Sequence, residues 1–180
     1  LALFTSYGAL QTAFRTIRGV LEPQGYKVLA QGASGTPHQM LHALRTNPRT
    51  ILLGTASFWE GVDVQGEALR LVIIDKLPFS SPDDPLTRAR VEHLRSAGQD
   101  PFREHQLPEA ALALQQGVGR LIRSERDEGV VVICDPRLTT RGYGRVLLAS
   151  LPPMRRTRDV AEVLAFLQRL RPTAAAPETA

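Results

Sequence analysis

Val130-Val131-Val132-Ile133-Cys134-Asp135 is the stretch from which the fold is read. Four apolar residues follow one another without polar alternation, and the run stops at a carboxylate. This is the pattern of a central strand in a parallel sheet, covered on both faces. Ile51 to Gly54 repeats it, and so does Leu69 to Ile74, which stops at Asp75. Helical segments lie between the later runs, roughly Pro85 to Ala97 and Pro108 to Arg123. Toward the start, Leu1 to Phe4 and Val28 to Ala30 read as shorter strands. Between them Leu10, Phe14, Ile17 and Leu21 recur at helical spacing from Tyr7 to Leu21, until Pro23 and Gly25 stop the helix. Gly32-Ala33-Ser34-Gly35 is a loop, and Pro37 opens a short helix that runs to Arg45. Strand and helix alternate, so the expected fold is α/β, a parallel sheet with helices on both faces. Cys134, at the end of its apolar run, is expected to be a buried, inert thiol.

The 180 residues suit one domain with a real core. A composition of 43% hydrophobic and 22% charged residues is globular rather than disordered. The net charge of +4 is compatible with a polyanionic partner, and nearly all the cations are arginine, with lysine only at Lys27 and Lys76. A single cysteine supports neither a disulfide framework nor a cysteine-based metal site. His38 and His42 have the i, i+4 spacing of a metal pair on a helix, but no third ligand accompanies them, so solvent exposure is the better reading. Asp83-Asp84-Pro85 is read as a helix start whose carboxylates offset the helix dipole, not as a metal site. Val160 to Leu170, amphipathic through Val160, Val163, Leu164 and Leu167, is expected to pack back on the domain. The apolar runs are strand-sized and none would span a bilayer. With no signal peptide evident, the expected location is the cytoplasm. The chain opens at Leu1 inside a strand pattern, so it is expected to be a domain of a longer protein. Residues 1–171 would form that domain, and 172–180 a mobile tail.

In parallel α/β sheets ligands bind outside the carboxyl ends of the strands. Thr5-Ser6-Tyr7 follows the first strand. Thr55-Ala56-Ser57-Phe58-Trp59-Glu60-Gly61-Val62-Asp63 follows the Ile51 strand. The hydroxyls of Thr5, Ser6 and Thr55 are candidates for phosphate contacts to a single nucleic-acid strand, although Thr5 and Ser6 are also good helix N-caps. Tyr7, Phe58 and Trp59 offer faces on which bases stack, and for Trp59 core packing fits equally well. Gln116-Gly117-Val118-Gly119-Arg120-Leu121-Ile122-Arg123 sets Arg120 and Arg123 three apart, on one face of a helix. Two guanidiniums so placed suit a polyphosphate, with Gln116 as a neutral partner on the same side. Gly117 and Gly119 suggest close backbone approach. This segment is expected to reach the same edge of the sheet as the two loops.

Q-x-x-G-R-x-x-R at Gln116 to Arg123 resembles motif VI of superfamily-2 helicases. Thr55 to Asp63 resembles motif V, and Leu3-Phe4-Thr5-Ser6-Tyr7 resembles motif IV. With Lys76-Leu77-Pro78-Phe79, Gln106-Leu107-Pro108-Glu109 and Asp135-Pro136-Arg137, the chain to about Pro153 is similar to the second motor domain of bacterial DinG-type helicases, relatives of XPD. The resemblance implies a RecA-like domain and an ATP-dependent DNA helicase. In that family Arg120 and Arg123 would be catalytic arginine fingers on ATP held by another domain. Gln116, Gly119, Glu60, Gly61 and Asp63 would serve the nucleotide, with Asp63 at the ribose or coupled to the arginines. Thr5, Ser6, Tyr7, Thr55 and Trp59 would follow single-stranded DNA.

This chain has no G-x-x-x-x-G-K-[ST] loop and no D-E-x-H motif. The resemblance therefore implies that ATP and Mg²⁺ are bound mainly by an N-terminal motor domain of the same protein. An iron–sulfur cluster, which needs four cysteines, would belong to that half as well. The chain alone would be an incomplete motor. Two other readings stand beside this one: a non-catalytic module that binds single-stranded nucleic acid or nucleotide, and a translocase or nuclease fusion that moves DNA without separating its strands.

Overall fold

The computed structural model describes residues 1–55, 58, 69–121 and 127–170. Its sheet has five strands: β1 (Ala2–Leu3), β2 (Lys27–Ala30), β3 (Thr50–Gly54), β4 (Leu71–Ile74) and β5 (Val130–Ile133). All neighbours pair in parallel, in the order β2-β3-β1-β4-β5. The helices are α1 (Tyr7–Leu21), α2 (Pro37–Thr46), α3 (Pro85–Ser96), α4 (Leu107–Gly119), α5 (Arg137–Thr140), α6 (Gly144–Ser150) and α7 (Val160–Arg169). A π-helical turn, Phe102–Gln106, leads into α4.

Successive strand residues point to opposite faces, and two cores result. Ala2, Phe4, Val28, Ala30 and Leu53 meet Leu10 and Phe14 of α1 on one face. Leu3, Leu29, Leu52, Val72 and Ile74 meet Met40 and Leu44 of α2 and Ala110, Leu114 and Val118 of α4 on the other. Helices thus cover both faces, as expected from the unalternating strands. Each fully buried leucine contributes roughly 1.5–3 kcal/mol.

The helix starts follow local chemistry. The Ser6 hydroxyl caps α1 by accepting from the Ala9 N–H at 3.2 Å. Thr36 and Gln39 form a reciprocal capping box at α2. Asp84 caps α3, accepting from the Thr87 N–H at 2.7 Å. That bond holds its carboxyl below the usual range. The helix start expected at Asp83-Asp84-Pro85 is observed, with Asp84 as its N-cap.

Three expectations about packing are corrected. β5 is a half-buried edge strand that pairs only with β4 among the described residues. Its apolar run serves one covered face, through Val131 and Ile133. Cys134, just past the strand end, is exposed rather than buried. Its thiol pKa is pushed up by partial desolvation and by the Asp75 charge, which keeps it protonated and unreactive. α7 does not bury its stripe: none of its residues is buried, and Val160 and Leu164 stand open to solvent. His38 and His42 are exposed on α2, as read from the sequence.

Candidate nucleotide and nucleic-acid site

The carboxyl ends of the five strands form one edge. The Phe4 N–H donates to the Gly54 carbonyl, the Gln31 N–H to Leu53, the Asp75 N–H to Leu3 and the Cys134 N–H to Ile74, at 2.9–3.0 Å. Thr5, Gln31, Thr55, Asp75 and Asp135 therefore stand along a common rim. Thr5 and Ser6 are exposed there. The Ser6 oxygen is occupied by its capping bond, which leaves the hydroxyl hydrogen to donate outward. Tyr7 is half exposed over the loop after β2. An added Cβ on Gly32 would lie 2.2 Å from the Tyr7 hydroxyl, and Gly32 has φ +79°. Both facts require glycine at that position.

Thr55 differs from Thr5 and Ser6. Its backbone N–H and its hydroxyl both donate to the Oε1 of Gln31, at 2.7 and 2.9 Å. Two donors converging on one oxygen have the geometry that a phosphate oxygen would require, and Gln31 fills it. Sequence reasoning passed over Gln31, which stands in an unremarkable loop after β2. Only the register of β2 on β3 sets it opposite Thr55. Phe58 is a further correction. It is 1% exposed and lies over Gly54, where an added Cβ would sit 2.6 Å away. Phe58 is part of the core, not a surface on which bases stack. Trp59, Glu60, Gly61 and Asp63 lie outside the described residues.

Asp135 is the other anchor of this rim. It is 6% exposed. It accepts from the Leu77 N–H and the Arg137 N–H, each at 2.9 Å, and from the Arg137 guanidinium at 2.6–3.0 Å. The Arg137 hydrogen bond, helped by the Leu77 N–H, lowers its pKa to about 2 against the cost of burial. Arg137 also stacks over Phe79, which packs with Phe102 and Tyr143. The Lys76-Leu77-Pro78-Phe79 and Asp135-Pro136-Arg137 segments are thus one hydrogen-bonded unit. The sequence signal was available as a carboxylate at a strand end followed two residues later by arginine.

The Gln116 to Arg123 segment does not share this rim. α4 runs antiparallel to the strands. Near its start Glu109 accepts from the Ser80 hydroxyl at 2.6 Å, on the carboxyl side. Beyond its other end Leu121 packs at Gly129 and the Arg70 carbonyl, immediately before β5 and β4. Arg120 therefore sits at the amino edge of the sheet, with the sheet between it and Thr5. The expectation of one shared edge is corrected, because a helix that connects parallel strands must carry its end back to where the next strand begins. The helix ends at Gly119 with Arg120 as its C-cap, and the face expected for Arg120 and Arg123 extends beyond the described residues. Arg123 itself lies outside them. Gln116 is exposed, and partial burial lowers the Arg120 pKa without discharging it. A Cβ on Gly119 would meet nothing within 4 Å. The close approach expected there is not made by the protein, and the backbone faces open space. Among the described residues no group of acidic, histidine or cysteine side chains could hold a metal ion. None of the described helices is long and apolar enough to cross a membrane.

Comparison with known proteins gives the family. Residues 1–154 match the family described as helicase C-terminal domain. The chain is 57% identical over 140 residues to the ATP-dependent DNA helicase YoaA of Escherichia coli K12, covering 78% of this chain and 22% of that protein. It is 44% identical over 164 residues to the 3'-5' exonuclease DinG of Bacillus subtilis, covering 91% of this chain and 17% of that protein. A solved XPD helicase structure superposes with a TM-score of 0.60 at 18% identity, over 87% of this chain and 28% of that one, and supports the RecA-like fold. The chain thus spans less than a third of each of these proteins.

Proposed function

Since the chain belongs to the helicase C-terminal domain family, we propose that it is the second motor domain of a DinG-type, ATP-dependent DNA helicase. The observation that carries the proposal is the family match over residues 1–154. The separation of Arg120 from the hydroxyl rim supports a division of labour between the two edges. The amino edge, with Gln116, Gly119 and Arg120, faces ATP bound by an N-terminal motor domain, and Arg123 is assigned to the same nucleotide. The carboxyl edge, with Thr5, Ser6, Tyr7 and Thr55, follows the phosphates of single-stranded DNA. Glu60, Gly61, Asp63 and Trp59, between these edges in sequence, complete the nucleotide and DNA contacts.

Exposed Gln116 and the open space at Gly119 fit a nucleotide approaching from outside the domain. Mg²⁺ goes with ATP on the N-terminal motor domain, the half to which the resemblance assigns the phosphate loop. Any iron–sulfur cluster belongs there too. Phosphoryl transfer depends mainly on positioning and on charge stabilisation, and guanidiniums supply the latter. On this reading the protein works on DNA in the cytoplasm, and the isolated chain turns over no ATP.

The test is steady-state ATPase of the full-length protein with single-stranded DNA. Arg120→Ala and Arg123→Ala should each lower kcat by roughly 10²-fold or more, and lysine should not restore it, because an ammonium lacks the planar fork. Near-normal kcat in both variants would remove the assignment. The B. subtilis relative named as an exonuclease favours a second reading, in which this domain moves DNA for an attached nuclease. ATP-dependent translocation without strand separation would select it.

A further inference from the structure

Beyond the carboxyl end of β5 the chain makes a sharp reversal. α5 ends at Thr140, Arg141 takes an extended conformation, and α6 begins at Gly144. The reversal requires glycine, because a Cβ on Gly144 would lie 1.9 Å from the Leu138 carbonyl oxygen. Buried Leu138 and Leu147 fix the two short helices to the core. Arg141 and Arg145, on either side of the turn, and Arg158, from the segment before α7, border a depression of about 400 Å³.

Among the described residues the charge of this depression is uncompensated, and no carboxylate lines it. None of its three guanidiniums has an ion-pair partner among the described residues, whereas Arg18, Arg103, Arg137 and Arg155 are all paired. The nearest acidic residues in sequence are used elsewhere: Asp135 pairs with Arg137, Asp159 caps α7, and Glu162 pairs with Arg155. The Thr139 and Thr140 hydroxyls donate to the Pro136 carbonyl and add no competing donors. Like charges gathered in a concave surface raise the local potential and attract a polyanion, and guanidiniums meet phosphate oxygens with paired donors.

We propose that the depression bordered by Arg141, Arg145 and Arg158 is a phosphate-binding site that grips the sugar–phosphate backbone of DNA, separate from Thr5, Ser6, Tyr7 and Thr55. The proposal rests on the DNA-handling role given above. The site reads no sequence, since all its contacts are to phosphate. It would hold DNA beside the rim while the nucleotide cycle acts at the opposite edge.

The test is fluorescence anisotropy of the full-length protein with a labelled dT oligonucleotide and, separately, a duplex of equal length, across a salt series. On single strands each neutralised phosphate contributes about 0.7 to the slope of log K against log salt. R141A/R145A/R158A should therefore flatten the slope by about 2 and weaken low-salt binding by roughly tenfold or more. R141K/R145K/R158K should keep the slope. R15A/R88A/R90A, an equal loss of charge on α1 and α3, should change it much less. Loss confined to the single strand or to the duplex identifies which backbone the site holds. Unchanged binding by the first variant, or equal loss in the R15A/R88A/R90A control, overturns the site while the DNA-handling role stands. A wild-type protein that binds neither DNA overturns both.

Discussion

The two edges of the sheet are held by different forces. At the carboxyl edge, side chains bond to backbone across strands: Gln31 holds Thr55, and Asp135 holds Leu77 and Arg137. Such bonds are directional, and they fix where each donor and acceptor points. At the amino edge, the end of α4 is held by apolar packing of Leu121 on Gly129. Packing fixes position without directional bonds, so the end of α4 is seated by shape alone. The difference is compatible with the division of labour proposed for the two edges.

The largest effect is expected at Asp135. Asp135→Asn weakens every bond that the carboxylate accepts, and should cost about 2–3 kcal/mol in urea unfolding. The folded-state pKa, about 2, lies below the usual carboxylate value of 3.8. Its stabilisation is therefore complete above the unfolded pKa and is lost as pH falls through about 4 toward about 2. Asp135→Asn should flatten acid unfolding in that window. An unchanged acid limb would mean that the carboxyl edge is not pinned by this charge.

Gly129→Ala attacks the other edge. An added Cβ would lie 2.5 Å from Leu121 Cδ1 and 3.0 Å from the Arg70 carbonyl. The expected cost is about 1–3 kcal/mol, with ATP turnover of the full-length protein falling several-fold and DNA affinity unchanged. If DNA affinity falls as well, the edges are not independent.

A smaller effect sharpens the role of Gln31. Gln31→Ala frees both Thr55 donors, and single-strand affinity should rise about 3- to 10-fold, the worth of roughly one hydrogen bond. Thr55→Ala should lower it. Movement in the same direction by both variants would make Gln31 a support of the site rather than an occupant of it.

The smallest effect on stability separates two roles of one hydroxyl. Ser6→Asp keeps a good N-cap for α1, so the melting temperature should hardly move, yet it places a carboxylate where a phosphate would lie. Single-strand binding should weaken while helix content by circular dichroism stays constant. Equal binding would leave Ser6 as a cap alone.

Much of this was legible in the chain. Proline, glycine and capping residues act within a few positions of themselves, so α1 was read at its observed bounds and α2 and α3 within one residue of theirs. Unalternating strands and the strand–helix order gave a parallel sheet with two covered faces, because burial on both sides leaves that pattern in any sequence. The motif spacings were legible as a family resemblance, and the family match over residues 1–154 agrees with it, because short-range chemistry of this kind is written along the chain. The tertiary structure decided the rest. It made β5 an edge strand and α7 a half-covered helix, because an apolar run looks the same whether one face is covered or two. It put Phe58 in the core, because the recess above Gly54 exists only once β3 is laid in the sheet. It joined Gln31 to Thr55 and Asp135 to Leu77, whose separation along the chain is bridged by strand register alone. It also set Arg120 and the hydroxyl rim at opposite edges, because sequence order carries no direction in space until a helix has run back along its sheet.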